Sequence, residues 1–124
     1  MRVNTPGEAD VFTTATGAMT SLATPSRGTS EVSAWTVHMP AHSRGPLHSV
    51  DREQVWLPLS GTLTIEVDGE DRSVAPGQAA ILPAGEPRQI RTGEEAAEVV
   101  VCMANHCLAT VTATGEVRQV PWTE

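Results

Sequence analysis

Hydrophobic and polar positions alternate along most of the chain, and glycine or proline interrupts the alternation roughly every ten residues. Between Thr62 and Val67 the apolar residues fall on one side of an extended segment and the polar residues on the other. Asp68-Gly69 follows as a two-residue turn, because both residues tolerate the positive φ angles of a type I′ hairpin. Apolar residues at helical spacing continue for no more than about two turns anywhere. The pattern therefore predicts an all-β protein.

Short strands and turns account for nearly the whole sequence. Strands are predicted over 11–15, 18–23, 31–39, 55–59, 62–67, 71–74, 79–82, 87–91, 98–104, 108–113 and 117–120, with a further strand beginning at His48 after a bend over 41–46. Pro58 is compatible with a strand only at an edge or a bulge. Such close strand spacing predicts a small antiparallel β-barrel or jelly roll.

The chain length predicts a single domain covering residues 1–124. Residues 1–10 are polar and contain Pro6 and Gly7, so we expect a flexible arm there. The amino terminus has no apolar signal region, and no stretch approaches the roughly 20 apolar residues of a membrane span. These features predict a soluble, cytoplasmic protein with no membrane partner.

Charge and composition exclude several kinds of chemistry. The formal charge of −7 and the scattered arginines disfavour nucleic acid as a partner. The sequence contains no lysine and no tyrosine, which excludes Schiff-base catalysis by lysine and acid catalysis by a phenol. Cys102 and Cys107 are separated by four residues and do not form a redox or disulfide motif. Histidine, arginine and carboxylates are therefore the main catalytic candidates.

The segment from His48 to Arg88, within a predicted core of residues 40–104, carries two glycine-bearing motifs. The first ends at Gly61, and the second contains Gly77, Pro83 and Gly85. These motifs resemble the two signature motifs of the cupin superfamily, whose fold is a double-stranded β-helix. The family's first motif is Gly-x5-His-x-His-x3-4-Glu-x6-Gly, and its second is Gly-x5-Pro-x-Gly-x2-His.

The resemblance assigns the family's metal-ligand positions to residues of this chain. Anchored on Gly61, it places the two histidines at His48 and Val50 and the glutamate at Gln54. Anchored on the second motif, it places the last histidine at Arg88. Only His48 keeps the usual ligand, and the fixed positive charge of Arg88 repels a divalent cation. The sequence therefore does not favour a cofactor; if zinc, iron, manganese or nickel were bound, His48 and Gln54 would contribute.

Two ways of rebuilding a metal site stay open at the level of the sequence. A bulge that shifts the strand by one residue would bring Glu53 inward in place of Gln54. Alternatively, donors on neighbouring strands would supply the ligands; these are His38, His42, His106 and Cys102.

The resemblance also implies that His48, Gln54 and Arg88 face a small-molecule cavity, which gives them a metal-free chemistry. Arg88 would bind a carboxylate, phosphate or enolate oxygen, and His48 would move a proton near neutral pH. Gln54 would orient a carbonyl or hydroxyl group. We predict these three as catalytic residues; the predicted substrate-binding residues are Val50, Glu53, Trp56 and Trp35. The competing interpretation is that Arg88 points outward and pairs with Glu86 or Glu53.

Three functions follow from these alternatives. The favoured one is a small-molecule enzyme of microbial specialised metabolism, similar to polyketide-cyclase-like cupins that act as cyclases, isomerases or lyases. The others are a metal-dependent cupin (an oxygenase or metal-assisted cyclase) and a ligand-binding cupin that catalyses no reaction. The resemblance further implies a homodimer, and the threonine-rich segment 11–23 is the predicted contact.

Overall fold

The computed structural model describes all 124 residues as two six-stranded antiparallel sheets packed face to face. The twelve strands are β1 Val11–Thr14, β2 Gly17–Ala23, β3 Val32–Met39, β4 His48–Val50, β5 Gln54–Ser60, β6 Leu63–Val67, β7 Glu70–Val74, β8 Ala80–Leu82, β9 Arg88–Thr92, β10 Ala97–Ala104, β11 Leu108–Val111 and β12 Val117–Gln119. Three single-turn 3-10 helices complete the fold: Glu8–Asp10, Pro25–Arg27 and Pro121–Thr123. The predicted jelly-roll architecture is confirmed.

Strand order defines the two sheets. Sheet I runs β1-β2-β3-β10-β5-β8, and sheet II runs β12-β11-β4-β9-β6-β7. Successive strands alternate repeatedly between the sheets, as in a jelly roll. The edge strands β7 and β8 are consecutive in the chain but belong to different sheets, so one side of the barrel lacks ladder hydrogen bonds between them.

Alternate residues of each strand fill the space between the sheets. The 16 buried apolar residues form one cluster: Met19, Trp35, Val37, Met39, Val50, Trp56, Leu63, Ile65, Val74, Leu82, Ile90, Ala97, Val99, Val101, Met103 and Cys107. At roughly 25 cal/mol per Å² of apolar surface removed from water, this cluster is the main source of stability. The core lies beside the interior positions of β4, β5 and β9, which carry the candidate site.

Local sequence signals place one turn and one bulge as expected. Asp68 and Gly69 have φ angles of 52° and 75°, the double positive φ that a type I′ turn requires. Pro58 lies at a register shift between β5 and β10, because Glu98 pairs with Ser60 and Val99 pairs with Pro58. The bulge explains how a proline is accommodated in a strand flanked on both sides.

Both chain ends are attached to the body of the domain. Asn4 donates hydrogen bonds to the backbone oxygens of Leu22 and Arg27, each at 3.0 Å. Residues 1–10, expected to form a flexible arm, are thus anchored along β2. At the other end, Ser21 donates to the backbone oxygen of Trp122 at 2.7 Å. None of the three short helices has the length and apolar character needed to cross a membrane.

Candidate functional site

One row of side chains crosses the interior face of sheet II on four neighbouring strands. His48 on β4 is directly opposite Arg88 on β9, and Arg88 is opposite Val67 on β6. Val67 is in turn opposite Glu70 on β7, the edge strand. Directly opposed residues of an antiparallel sheet project to the same face, with their Cβ atoms about 5 Å apart. The side chains of His48 and Arg88 are therefore neighbours on the interior face of sheet II.

Arg88 is a buried cation with no carboxylate partner. Its residue exposure is 1%, and it takes part in none of the ion pairs of the protein. Its Nη2 donates to the backbone oxygen of Pro83 at 2.6 Å, and its Nε donates to that of Glu86 at 2.9 Å. Its Nη1 makes a longer bond to Oε1 of Gln54, at 3.4 Å. The alternative in which Arg88 points outward is therefore wrong.

The buried guanidinium keeps unused binding capacity. Three of its N–H groups have protein acceptors, and a guanidinium carries five. Burial lowers the pKa of Arg88 from its ordinary value, and the charge of Glu86 raises it. Arginine remains charged in spite of such shifts. The interior thus holds a positive charge that no carboxylate contacts.

Gln54 connects Arg88 to the aromatic wall. Its side chain is buried, and its Oε1 accepts a hydrogen bond from Nε1 of Trp56 at 3.1 Å as well as the bond from Arg88. Its Nε2 lies 3.7 Å from Sδ of Met103, which is a weak acceptor. Glu53 is exposed in the turn before β5, so the prediction that it contacts a ligand in the interior is wrong.

The orientation of His48 follows from one hydrogen bond. Its Nδ1 lies 2.9 Å from the backbone oxygen of Pro46, which can only accept. The proton of the neutral ring is therefore on Nδ1, and Nε2 carries the free lone pair. His48 is half-buried, which leaves its ring within reach of solvent. This tautomer makes Nε2 a proton acceptor.

The surroundings of His48 favour the neutral ring. Burial lowers the pKa of His48 from 6.5, the hydrogen bond to Pro46 raises it, and the positive charge of Arg88 lowers it. The folded chain binds a proton at His48 less readily than the unfolded chain. The contribution of neutral His48 to the free energy of unfolding is therefore fully present above pH 6.5. It is lost as the pH falls from 6.5 toward the folded-state pKa.

We expect the His48→Gln substitution to remove the contribution of His48 to the pH dependence of the free energy of unfolding. The free energy of unfolding of the wild type should decrease more steeply below pH 6.5 than that of the variant. Urea denaturation at several pH values measures the difference, and an NMR titration of the ring gives the folded-state pKa directly. A midpoint for His48 at or above 6.5 would contradict the proposed environment. His106, which is exposed, provides the matched control substitution His106→Gln.

A groove of about 460 Å³ opens between the edge strands β7 and β8. Its walls include Val67, Glu70, Pro83 and Glu86. This volume lies within the roughly 300–1,000 Å³ typical of small-molecule sites. None of the predicted site residues lines it directly, which corrects the expectation that they form the wall of an open cavity. Pro83 and Glu86 connect the groove with Arg88, because they line the groove and their backbone oxygens accept hydrogen bonds from Arg88.

The remaining predicted contacts lie deeper in the protein. Val50 and Trp56 are buried on the interior faces of β4 and β5, beside the site residues of the same strands. Trp35 is buried in the core on β3 and is absent from the groove wall. Sequence reasoning missed Glu70 and the backbone acceptors of Pro83 and Glu86; it considered Glu86 only as an ion-pair partner of Arg88. Pro83 is part of the second motif, but its role as an acceptor for Arg88 depends on its backbone carbonyl.

Comparison with known families identifies the family of this chain. A model of the cupin domain matches residues 35–103, which is more than half of the chain. The chain belongs to the cupin family. The match spans β3 to β10 and includes all of the row across sheet II. No curated protein sequence matches this cupin.

Three solved structures of similar fold are each less than 25% identical to this cupin. The DMSP lyase DddQ from Ruegeria pomeroyi is 23% identical, with a TM-score of 0.72 over 82% of this chain and 54% of DddQ. The polyketide cyclase RemF from Streptomyces resistomycificus is 19% identical, with a TM-score of 0.70 over 90% and 73% of the two chains. KdgF from Halomonas sp. is 20% identical, with a TM-score of 0.67 over 77% and 86%. This chain thus spans about half the length of DddQ, and these similarities establish the fold.

The residues at the cupin ligand positions do not suit a metal ion. His48 offers one imidazole nitrogen, whereas Val50 has no donor atom and Arg88 brings a positive charge. Oε1 of Gln54 is already occupied by two hydrogen-bond donors, on Trp56 and Arg88. No group of three or more His, Cys, Asp or Glu side chains lies close enough together to hold an ion. The side chains at these four positions therefore do not form a metal site.

The other potential ligands are not brought together. His38 lies on the outer face of sheet I, where its Nδ1 is 2.5 Å from Oε1 of Glu98. His42 and His106 are exposed in turns, and Cys102 is on the outer face of β10. The proposal of a site rebuilt from neighbouring strands is wrong, because these residues project away from the interior.

Proposed function

We propose that this cupin is a small-molecule enzyme that transfers a proton next to a carbonyl group, in a cyclisation, isomerisation or elimination. The observation that carries the proposal is Arg88, a buried guanidinium without a carboxylate partner, directly across the strand pair from His48. Burying an uncompensated charge is unfavourable for folding, so its presence is better explained by a ligand than by stability. The proposed substrate is a small carbonyl compound that carries or develops negative charge.

Arg88 would stabilise the negative charge that develops during the reaction. Its two N–H groups without protein acceptors are available to carboxylate or enolate oxygens. Hydrogen-bond donors held in place in a water-poor interior are strong electrostatic catalysts, because they need little reorganisation. The bonds to Pro83 and Glu86 fix the guanidinium plane for this purpose.

His48 would act as the proton acceptor. Its Nε2 lone pair is free, and its lowered pKa keeps the ring neutral at pH 7. A proton removed from carbon would move to Nε2, and the electron pair left behind would delocalise onto the carbonyl oxygen facing Arg88. Protonated His48 would then return the proton to another atom of the substrate. Gln54 would position the carbonyl, and Trp56 and Val50 would contribute the apolar wall.

The groove between β7 and β8 would be the route to the site. Residues 83–87 form an exposed turn that contains Gly85, and Pro83 and Glu86 of this turn connect the groove with Arg88. We propose that movement of this turn admits a ligand to the two guanidinium N–H groups that have no protein acceptor. The structures of similar fold include a lyase and a cyclase by name, which is compatible with such chemistry.

Exchange of carbon-bound protons for deuterium tests the proposal without the natural substrate. We expect the wild type to accelerate α-deuterium exchange of small keto acids such as pyruvate in D2O, as followed by proton NMR. The His48→Ala variant should lose most of this activity, since general base catalysis contributes about 10²–10⁴-fold. His106→Ala is the control, because His106 is exposed and outside the row.

The outcomes also separate catalysis from binding alone. Saturable binding of the keto acids without exchange would indicate a ligand-binding cupin that is not an enzyme. This is the second function that the buried Arg88 supports. Equal exchange by the wild type and His48→Ala would remove His48 from the mechanism. Absence of both binding and exchange would overturn the proposed substrate class.

A further inference from the structure

We infer that Glu70 determines substrate specificity, and that the substrate carries a cationic group, such as an ammonium, at the end opposite to the carboxylate or enolate bound by Arg88. This assignment rests on the proposed function, because it concerns the other end of the same ligand. Glu70 is the last member of the row across sheet II. The proposed mechanism uses only the members of this row at His48 and Arg88, so the carboxylate of Glu70 is left without a role.

Glu70 faces the space between the two sheets although β7 is an edge strand. It is directly opposite Val67, which lies on the same face of β6 as the buried residues Leu63 and Ile65. Glu70 also lines the groove between β7 and β8. Its side chain is exposed and takes part in none of the ion pairs of the protein. Glu70 therefore presents a free negative charge to the groove.

The charged side chains of the groove wall are mainly acidic. Three carboxylates line the groove, those of Asp68, Glu70 and Glu86, together with the guanidinium of Arg72, which gives a net charge of −2. None of the four forms an ion pair within the protein. A concave surface of net negative charge attracts cations and repels anions. A ligand with a second negative group is therefore disfavoured, and a ligand with a cationic outer end is favoured.

The row also sets the distance between the two charged ends of the ligand. Val67 separates Arg88 from Glu70, so the two positions are two strand spacings apart, about 10 Å. An extended chain advances about 1.2 Å per bond, so a ligand with about six to eight bonds between its charged groups spans this distance. The half-buried Val67 provides an apolar contact for the carbon chain between them. The inferred substrate is thus a medium-length carboxylate or keto acid with a terminal cation.

Arg72 does not cancel the charge of Glu70. It lies two residues further along the same face of β7, opposite Ile65, and is not within ion-pair distance of Glu70. Charged residues that point inward from an edge strand also discourage pairing with other chains. A charge of either sign serves that protective role, whereas binding of a cation requires a negative one. Reversing the charge at Glu70 therefore distinguishes the two roles.

Three carboxylates of equal chain length provide the ligand series for the test. Heptanoate, 6-aminohexanoate and pimelate carry a methyl, an ammonium and a second carboxylate, respectively, at the end of the chain. Isothermal titration calorimetry of the full chain at low ionic strength, where exposed charges are least screened, measures their affinities. The wild type should bind 6-aminohexanoate more tightly than pimelate.

Substitutions on the two faces of β7 assign the preference to one residue. Glu70→Gln should lower the ratio of the affinities for 6-aminohexanoate and heptanoate about fivefold, the size expected for one exposed ion pair. Glu70→Arg should reverse the order, so that pimelate binds more tightly than 6-aminohexanoate. Asp71→Asn is the matched control, because it removes the same charge from the next residue, which pairs with Arg91 on the outer face. It should change the ratio less than twofold, and circular dichroism verifies that each variant is folded.

Pyruvate separates the role of Glu70 from the proposed function. It is too short to reach Glu70, so its binding depends on the anion site at Arg88 alone. If the wild type binds pyruvate but the ratio is unchanged in Glu70→Gln, or the order is not reversed in Glu70→Arg, Glu70 has no role in specificity and the proposed function stands. An equal fall of the ratio in Asp71→Asn would assign the preference to the net charge of the chain and would also overturn the inference. If neither pyruvate nor any member of the series binds, the inference and the proposed substrate class are both wrong.

Discussion

Replacing Arg88 by methionine is expected to weaken the binding of small carboxylates such as pyruvate by about 100-fold or more. The substitution keeps an unbranched side chain of similar length but removes every donor that faces the ligand. Two charge-assisted hydrogen bonds at about 1.5–3 kcal/mol each account for an effect of this size. Isothermal titration calorimetry of the wild type and the variant measures it.

Arg91→Met is the matched control for this prediction. Arg91 is on the same strand, β9, but its side chain lies on the outer face of sheet II, where it pairs with Asp71 and Glu66. Its removal should change carboxylate affinity less than about twofold, because its side chain lies on the opposite face of the sheet from Arg88 and is already paired with Asp71 and Glu66. Equal affinities of wild type and Arg88→Met would refute the anion site. Equal losses in both variants would attribute the effect to net charge.

Replacing Gly61 by alanine is expected to lower the free energy of unfolding by about 3 kcal/mol or more. Gly61 has a φ of 71°, and a Cβ at this position would lie 2.1 Å from the backbone oxygen of Ala96. It would also lie 2.9 Å from Cα of Ala97, the first residue of β10. The neighbouring atoms belong to the backbone at the start of β10, a central strand of sheet I, so they cannot easily move away.

Gly69→Ala separates backbone strain from the steric contact. Gly69 has nearly the same φ, 75°, but no atom lies within 4 Å of a Cβ built there. We expect this control to cost only about 1 kcal/mol, the strain of a left-handed residue. Urea denaturation of both variants makes the comparison. Equal losses of stability would show that the close approach of Gly61 to Ala96 is not the cause.

The glycines illustrate how much of the fold is readable from sequence. Gly61, Gly69, Gly77 and Gly85 all have positive φ, so each turn predicted from glycine forms at its expected place. These signals are local, because a positive φ selects glycine without reference to the rest of the fold. Strand positions follow from the period-two pattern for the same reason.

The candidate site depends on contacts that sequence patterns cannot specify. Alternation with a period of two places His48 on the same strand face as Val50, and Gln54 on the same face as Trp56. It does not specify which strands are neighbours in the sheet. His48 and Arg88 meet because β4 pairs with β9, 40 residues apart in sequence. The resemblance to cupins predicted this proximity. The carbonyls of Pro83 and Glu86 and the separate groove were not predicted, because their positions depend on the path of a turn.

Several apolar residues of β5 and β10 lie on the outer face of sheet I. The alternation of apolar and polar positions does not predict them there. The Val55–Leu59 and Val99–Cys102 segments are apolar at consecutive positions, and such runs indicate strands covered on both faces. The pairing of β5 with β10 shows that these runs are adjacent and form one surface.

The amino-acid sequence by itself determined the strands, the turns and the residue types available for chemistry, because these depend on side-chain periodicity and on backbone angles within a few residues. Only the tertiary structure decided that Gln54 rather than Glu53 is interior, and that Arg88 is buried without a carboxylate in contact. Strand pairing and register, which join residues far apart in the chain, decide which side of each strand is enclosed.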